Sequence, residues 1–234
     1  MNFKKLREKV LYTNKLLPKL DLVLFTWGNV SEVDRDNNVF AIKPSGVSYD
    51  EMKAEDIVIV SLETGEVIEG ELKPSTDTET HRILYNEFED IGGIVHTHST
   101  WATSWSQSKR NLPAYGTTHA DTFYGNVPCT RNLTKEEMAD NYELSTGEVI
   151  VETFENLNID PQDIPSVLVS GHGPFSWGED SEEAVYNAKV LEQCAKTAFI
   201  TESINNDIQE VDEALLDKHY LRKHGEESYY GQDR

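Results

Sequence analysis

Ile57-Val-Ile-Val-Ser-Leu-Glu-Thr-Gly-Glu-Val-Ile-Glu-Gly70 decides how the sheet is assembled. Two runs rich in β-branched residues flank a Glu-Thr-Gly turn, and strands joined by so short a connection fold back on one another as an antiparallel hairpin. Upstream, residues 22–33 and 39–46 read as a second pair of strands around Asp34-Arg-Asp-Asn37. Helical patterns surround these hairpins. Residues 3–17 carry Leu6, Val10, Leu11 and Leu17 at helical spacing, with Pro18 expected to stop the helix. Lys73-Pro-Ser-Thr-Asp77 leads into a helix with Ile83, Leu84 and Phe88 on one face, and further helices are expected over 100–108, 134–142, 146–157, 181–205 and 211–223. A buried strand is expected over 166–170, and an irregular loop over 113–130. Hairpins interleaved with helices predict a layered α/β domain, and no linker divides residues 1–234, so one domain is expected.

The charge narrows the possible partners. There are 42 acidic against 21 basic side chains, a formal net charge of −21. Nucleic acid and acidic membranes both require clustered positive charge, so neither is expected as a partner. Cys129 and Cys194 form neither a metal-ligand spacing nor a disulfide framework. With no signal-peptide pattern and no membrane span, a cytoplasmic location is expected.

Chemistry first becomes readable in Ile91-Gly-Gly-Ile-Val-His-Thr-His-Ser-Thr100, where an apolar run ends in two histidines. Side chains at i and i+2 of an extended backbone share a face, so His96 and His98 can grip one ion. A catalytic zinc-type site asks for three protein ligands and an open position. The third candidate is His172 in Val167-Leu-Val-Ser-Gly-His-Gly-Pro-Phe175. His119 stands apart, in a loop without strand geometry to hold it. Three further segments have the small side chains and turn amides, and two of them the lysine, that a phosphate needs: Thr26-Trp-Gly-Asn29, Lys43-Pro-Ser-Gly46 and Lys73-Pro-Ser-Thr-Asp77. Ordinary turn chemistry is the plain alternative for each. Asp77, Asp121 and Glu143 are the acids near these polar segments, where a carboxylate can ligate, orient or move protons. The Tyr229-Tyr230 pair could dock onto a neighbouring subunit.

Taken together, Leu24-Phe-Thr-Trp-Gly-Asn-Val-Ser31, Ile42-Lys-Pro-Ser-Gly-Val47, Lys73-Pro-Ser-Thr-Asp-Thr78, Gly92-Gly-Ile-Val-His-Thr-His-Ser99, Gly116-Thr-Thr-His-Ala-Asp121, Gly171-His-Gly-Pro-Phe175 and Lys218-His-Tyr-Leu-Arg-Lys-His-Gly225 resemble the class II aldolase and epimerase family nearly end to end. The resemblance implies a three-layer α/β/α fold with a mainly antiparallel central sheet, and a homotetramer with active sites between subunits. It implies one divalent metal per subunit, Zn2+ first and Mn2+ or another ion as alternatives, held by His96, His98 and His172 with Asp77 beside them. Gly28, Asn29, Lys43, Ser45, Gly46, Ser75 and Thr76 would hold the phosphate end of a phosphorylated pentulose. Thr76 stands where relatives often have serine, and keeps the hydroxyl. Asp121 and, from a neighbour, Tyr230 would be the acid/bases.

Aldolase relatives typically carry glutamate where this chain has Asp77, and the shorter acid points to the epimerase branch, which interconverts L-ribulose 5-phosphate and D-xylulose 5-phosphate. A C4 proton of such a ketose is not acidic, so the expected route is retro-aldol cleavage of C3–C4, rotation of the aldehyde and re-addition. That route needs a Lewis acid for the enediolate and an acid/base on each face of the carbonyl.

Overall fold

The computed structural model of the protein describes residues 3–225 together with Ser228 and Tyr229. Its strands are β1 Asn29–Asp34, β2 Val39–Ile42, β3 Val58–Ser61, β4 Val67–Glu69, β5 Gly93–His96, β6 Ser166–Val169 and β7 Gly173–Gly178. They form one seven-stranded sheet in the order β4-β3-β2-β1-β5-β7-β6. Every pairing is antiparallel. Among the described residues the helices are α1 Lys4–Lys19, α2 Thr78–Glu87, α3 Thr100–Ser108, α4 Thr117–Ala120, α5 Lys135–Asp140, α6 Tyr142–Leu157, α7 Ser181–Ile204 and α8 Glu213–His224.

Strand alternation builds the layers. Val39, Ala41, Ile59 and Val95 face a core completed by Val10 and Leu17 of α1 and by Ala184 and Val185 of α7. Phe40, Ile42, Val58, Val60 and Ile94 face the opposite core, with Leu84 of α2 and Ile150 and Phe154 of α6. Burying each of the larger of these side chains is worth about 1.5–3 kcal/mol, so both faces of the sheet contribute to stability. The long α7 contributes Leu191, Cys194 and Ala195 to this second core as well. The result is a three-layer α/β/α arrangement with a mainly antiparallel sheet, as the hairpins and the resemblance led us to expect.

Several boundaries differ from the sequence expectation. The apolar run at 22–25 is not strand: β1 begins only at Asn29, and Leu24 and Phe25 are 63% and 79% exposed. Asp21, Phe25 and Gly28 all adopt positive φ, which turns the chain before it can pair. Pro18 does not stop α1 but lies within its last turn, and Leu20 N–H still donates to Leu16 O. The 113–130 loop contains the single turn of α4. The pattern over 134–157 breaks at Asn141, whose side chain accepts from Leu144 N–H and so caps α6.

Strand β7 was not anticipated, because Gly173, Pro174 and Gly178 are poor strand formers. The register explains how Pro174 fits. Its carbonyl faces β5, whose last partner is His96 opposite Phe175, so the N–H that proline lacks would point past the end of that ladder.

Candidate metal centre

Three neighbouring strands end at one edge of the sheet, and that edge collects the histidines. Asn29 opens β1 directly opposite His96, the last residue of β5, and His96 lies opposite Phe175 of β7. His172 occupies the tight connection from β6 to β7, where Gly171 takes φ +73°. A Cβ on Gly173 would come within 2.7 Å of Thr97 O, so only glycine lets the His172 turn approach the His96-Thr-His98 segment this closely. The candidate nitrogens of His96, His98 and His172 all lie within 4.8 Å of one another.

The protonation chemistry suits a cation. His96 Nδ1 lies 3.0 Å from the Pro174 carbonyl, which accepts its N–H and leaves Nε2 as a lone pair aimed at the cluster. That Nε2 is 3.1 Å from His98 Nε2. His172 Nδ1 is buried without a hydrogen-bond partner among the described residues. Burial, reinforced by His96, pushes His172 down to about 3 and lowers His98 as well. Imidazoles bind a metal in the neutral form, which burial favours at His98 and His172, and the convergence of these two with His96 fits a divalent ion.

The expected phosphate segments frame a cleft of about 380 Å³ beside this cluster. Gly28, Asn29, Lys43, Ser45, Gly46, Ser75, Thr76 and Asp77 line it together with His96, His98 and His172. The two Lys-Pro-Ser segments bond to each other: Ser45 N–H donates to Lys73 O and Ser75 N–H to Lys43 O, both at 3.0 Å. These two amides are therefore spent on structure, and the donors left at Ser45 and Ser75 are hydroxyls. The segments are unequal in another respect. Lys73 is exposed, whereas Lys43 is 2% exposed and donates to Thr26 O and Pro44 O at 3.2 and 3.3 Å. Burial pushes its ammonium down to about 8. Asn29 Nδ2 donates to Asp77 Oδ2 at 2.6 Å and to Ser75 Oγ at 3.0 Å. Burial alone would raise the Asp77 carboxyl, but His96, His81 and the Asn29 amide outweigh it and hold it below its usual range.

Asp121 does not line this cleft. It accepts from Arg222 Nη2 through both oxygens, at 2.8 and 2.9 Å, and lies 2.9 Å from His219 Nδ1. Burial opposes its ionisation, yet His219 and Arg222 hold it below the normal carboxylate range. Tyr230 lies outside the described residues. His119 is spent on Gly125 O at 2.7 Å, and burial pushes it down to about 4.

Sequence reasoning missed Tyr142, which lines the cleft beside Glu143 with its ring 5.9 Å from His172. It also missed Glu192 of α7. This buried carboxylate accepts from Trp101 N–H at 3.0 and 3.1 Å and from Ala102 N–H at 2.9 Å. It thus caps α3, the helix that starts two residues after His98 and whose own N-cap, Ser99, makes no side-chain cap.

Residues 8–199 match the model of the Class II Aldolase and Adducin N-terminal domain family, and the chain belongs to that family. Among solved structures it is similar to an L-fuculose 1-phosphate aldolase, with 25% identity and a TM-score of 0.78 over 93% of this chain and 95% of that one. YgbL from Klebsiella pneumoniae shares 24% identity and a TM-score of 0.72 over 93% and 99% of the two chains. An L-fuculose 1-phosphate aldolase from Glaciozyma antarctica shares 17% identity and a TM-score of 0.77 over 96% and 84%. These last two likenesses are of fold. Membership in the family supports metal-dependent aldol or retro-aldol chemistry, and the histidine triad is the group that could hold the ion. No helix among the described residues is long and apolar enough to cross a membrane.

Proposed function

We propose that the chain is an L-ribulose-5-phosphate 4-epimerase of pentose catabolism, supplied from L-arabinose, acting as one domain over residues 1–234. One observation carries the reading: three converging imidazoles, a short carboxylate and a buried lysine share a single cleft. The similarity to an L-fuculose 1-phosphate aldolase supports a sugar phosphate as substrate. Asp77, in place of the glutamate typical of aldolase relatives, favours the epimerase. Cys129 and Cys194, both free, support a reducing, cytoplasmic setting.

His96, His98 and His172 would hold one divalent ion, Zn2+ by preference, with Asp77 as a fourth ligand or a proton holder. When bound, that ion supplies Lewis acidity for the negative charge that develops on the ketose oxygens during C3–C4 cleavage. The protein's part is positioning. The Lys43 ammonium and the hydroxyls of Ser45, Ser75 and Thr76 bind the phosphate, while Asn29 braces Asp77 and Ser75 beside it. Holding the phosphate keeps the aldehyde fragment in place while it rotates. Asp121 and Tyr230 are the proposed acid/bases. Since Asp121 lies outside this chain's own cleft, the reading places them in the site of an adjacent subunit of a homotetramer.

Incubating metal-loaded protein with L-ribulose 5-phosphate, and following D-xylulose 5-phosphate and free glycolaldehyde phosphate, tests the reading. Xylulose product with only trace aldehyde, lost on chelation and strongly reduced in Asp121→Asn and Tyr230→Phe, is the expected outcome. Aldehyde without the epimer moves the assignment to an aldolase, the second reading, which the fuculose-phosphate aldolase likeness favours. No turnover with any divalent ion removes the phosphoketose reading.

A further inference from the structure

Beneath the cleft lie three polar side chains that the chemistry above does not use. Ser31, His81 and Tyr85 are each fully buried. Ser31 Oγ sits 2.7 Å from His81 Nδ1 and 2.7 Å from the Tyr85 hydroxyl. The other ring nitrogen, His81 Nε2, is buried with no hydrogen-bond partner among the described residues. Buried polar atoms are nearly always paired, so this one calls for a reason.

The placement of these residues is geometrically matched to the site. Asn29 and Ser31 project from one face of β1, two residues apart. Asp77, which precedes α2, and His81 stand one helical turn apart, with His81 N–H donating to Asp77 O at 3.0 Å. Two strand residues rise about 6.8 Å and four helical residues about 6 Å, so rungs between them stay in step. Asn29 meets Asp77 on the first rung, and Ser31 meets His81 and Tyr85 on the next. Helical side chains lean toward the N-terminus, which carries the His81 ring back over the Asp77 turn.

The side-chain partners agree with one tautomer. If Ser31 gave its proton to Tyr85, the tyrosine's own proton would have no side-chain acceptor among the described residues. With Tyr85 donating to Ser31, and Ser31 donating to His81 Nδ1, each bond holds one proton and the imidazole carries its hydrogen on Nε2. Burial keeps the ring neutral, pushing it down to about 3, and of the charges around it Asp77 acts most strongly, then His96.

We propose that His81 is the positioning residue for Asp77: its ring, one helical turn on and without a hydrogen-bond partner at Nε2 among the described residues, offers the Nε2–H as the donor to the carboxylate once a cation is bound, and the Tyr85–Ser31 pair fixes that orientation. The inference rests on the reading that the cleft binds a divalent ion, whose affinity then depends on a residue that never touches it. Loss of such an outer-shell partner typically lowers metal affinity by about 10- to 100-fold.

Co2+ titration, followed by visible absorption, tests this against wild type in two variants whose metal-free melting temperatures are measured alongside. His81→Asn puts an amide near the Nδ1 position and loses the outer donor; His81→Gln keeps a donor near Nε2. The expected result is about a 10- to 100-fold loss of Co2+ affinity in His81→Asn, with His81→Gln within about threefold of wild type. A purely structural role would lower both melting temperatures and leave affinity unchanged.

Side-chain ¹⁵N–¹H correlation in the wild-type protein is a second readout, expected to place the His81 proton on Nε2. Wild-type affinity in His81→Asn, or a proton on Nδ1, overturns the inference alone, whereas absence of Co2+ binding in wild type overturns the metal reading and the inference with it. Should His81→Asn not fold, Ser31→Ala serves in its place, because it keeps the ring and removes the relay. A shifted tautomer with weakened Co2+ binding supports the inference, and an unchanged pair of readouts overturns it.

Discussion

Asp77 and Asp121 are both held below the usual carboxylate range, by opposite means. Around Asp77 the stabilising groups are imidazoles and one amide, all fixed by strand ends and the start of a helix. Around Asp121 they are a guanidinium, His219 and Lys223, all from α8. The first environment can accept a cation without breaking an ion pair. The second is already neutralised, so Asp121 can exchange protons with a substrate only if its partners on α8 loosen or share it. One carboxylate belongs to the cleft of the histidine triad; the other is half of a salt-bridged joint between α4 and α8.

The largest effect that would sharpen this contrast comes from the cleft. His172→Ala should remove metal binding and lower kcat/KM by about 10³-fold or more, read as initial rates on L-ribulose 5-phosphate after metal loading. Retained turnover would separate the triad from the chemistry. Next comes Asp121→Asn, expected to cost about 10²-fold in kcat with metal content unchanged. Metal loss in that variant would erase the distinction between the two carboxylates.

Glu192→Ala should destabilise the fold by about 2 kcal/mol in urea titration, because two helix N–H groups lose a charged acceptor. Smaller again is a pH effect at Lys43. Its ammonium is lost as pH rises through about 8, so KM for the phosphorylated substrate should climb by at most about tenfold per pH unit above that value. A profile flat through that range would detach Lys43 from the phosphate.

The smallest effect belongs to the Asp121 joint. Because the folded state lowers the Asp121 carboxyl, its pairing stabilises above the normal carboxylate range and fades as pH falls through the folded value. Arg222→Ala should therefore cost about 1 kcal/mol at neutral pH and less in acid, measured by urea unfolding at both.

Much of this was legible in the sequence, for identifiable reasons. Gly65 and the β-branched runs around it announce the β3–β4 hairpin, and the His-x-His spacing at a strand end announces a shared face. Strand β7 was not legible, because its strength comes from pairing with β5 on one side and β6 on the other. Leu22 to Phe25 have strand-forming side chains, yet among the described residues no strand pairs with them. Glu192 reaches partners 91 and 90 residues away, and no local pattern records that. His81 has the same invisibility: within α2 it is one more polar residue until Ser31 is seen against it.

The register of β5 has a practical corollary. A one-residue slip against β1 and β7 would exchange Ile94 and Val95 between two cores that both accept β-branched residues, so burial alone discriminates weakly against it. The same slip would turn His96 out of the cleft and dismantle the triad. Under the metal reading, the fraction of chains that take up an ion in a purified batch is then a head-count of correctly threaded molecules, a quality assay built into the sheet itself.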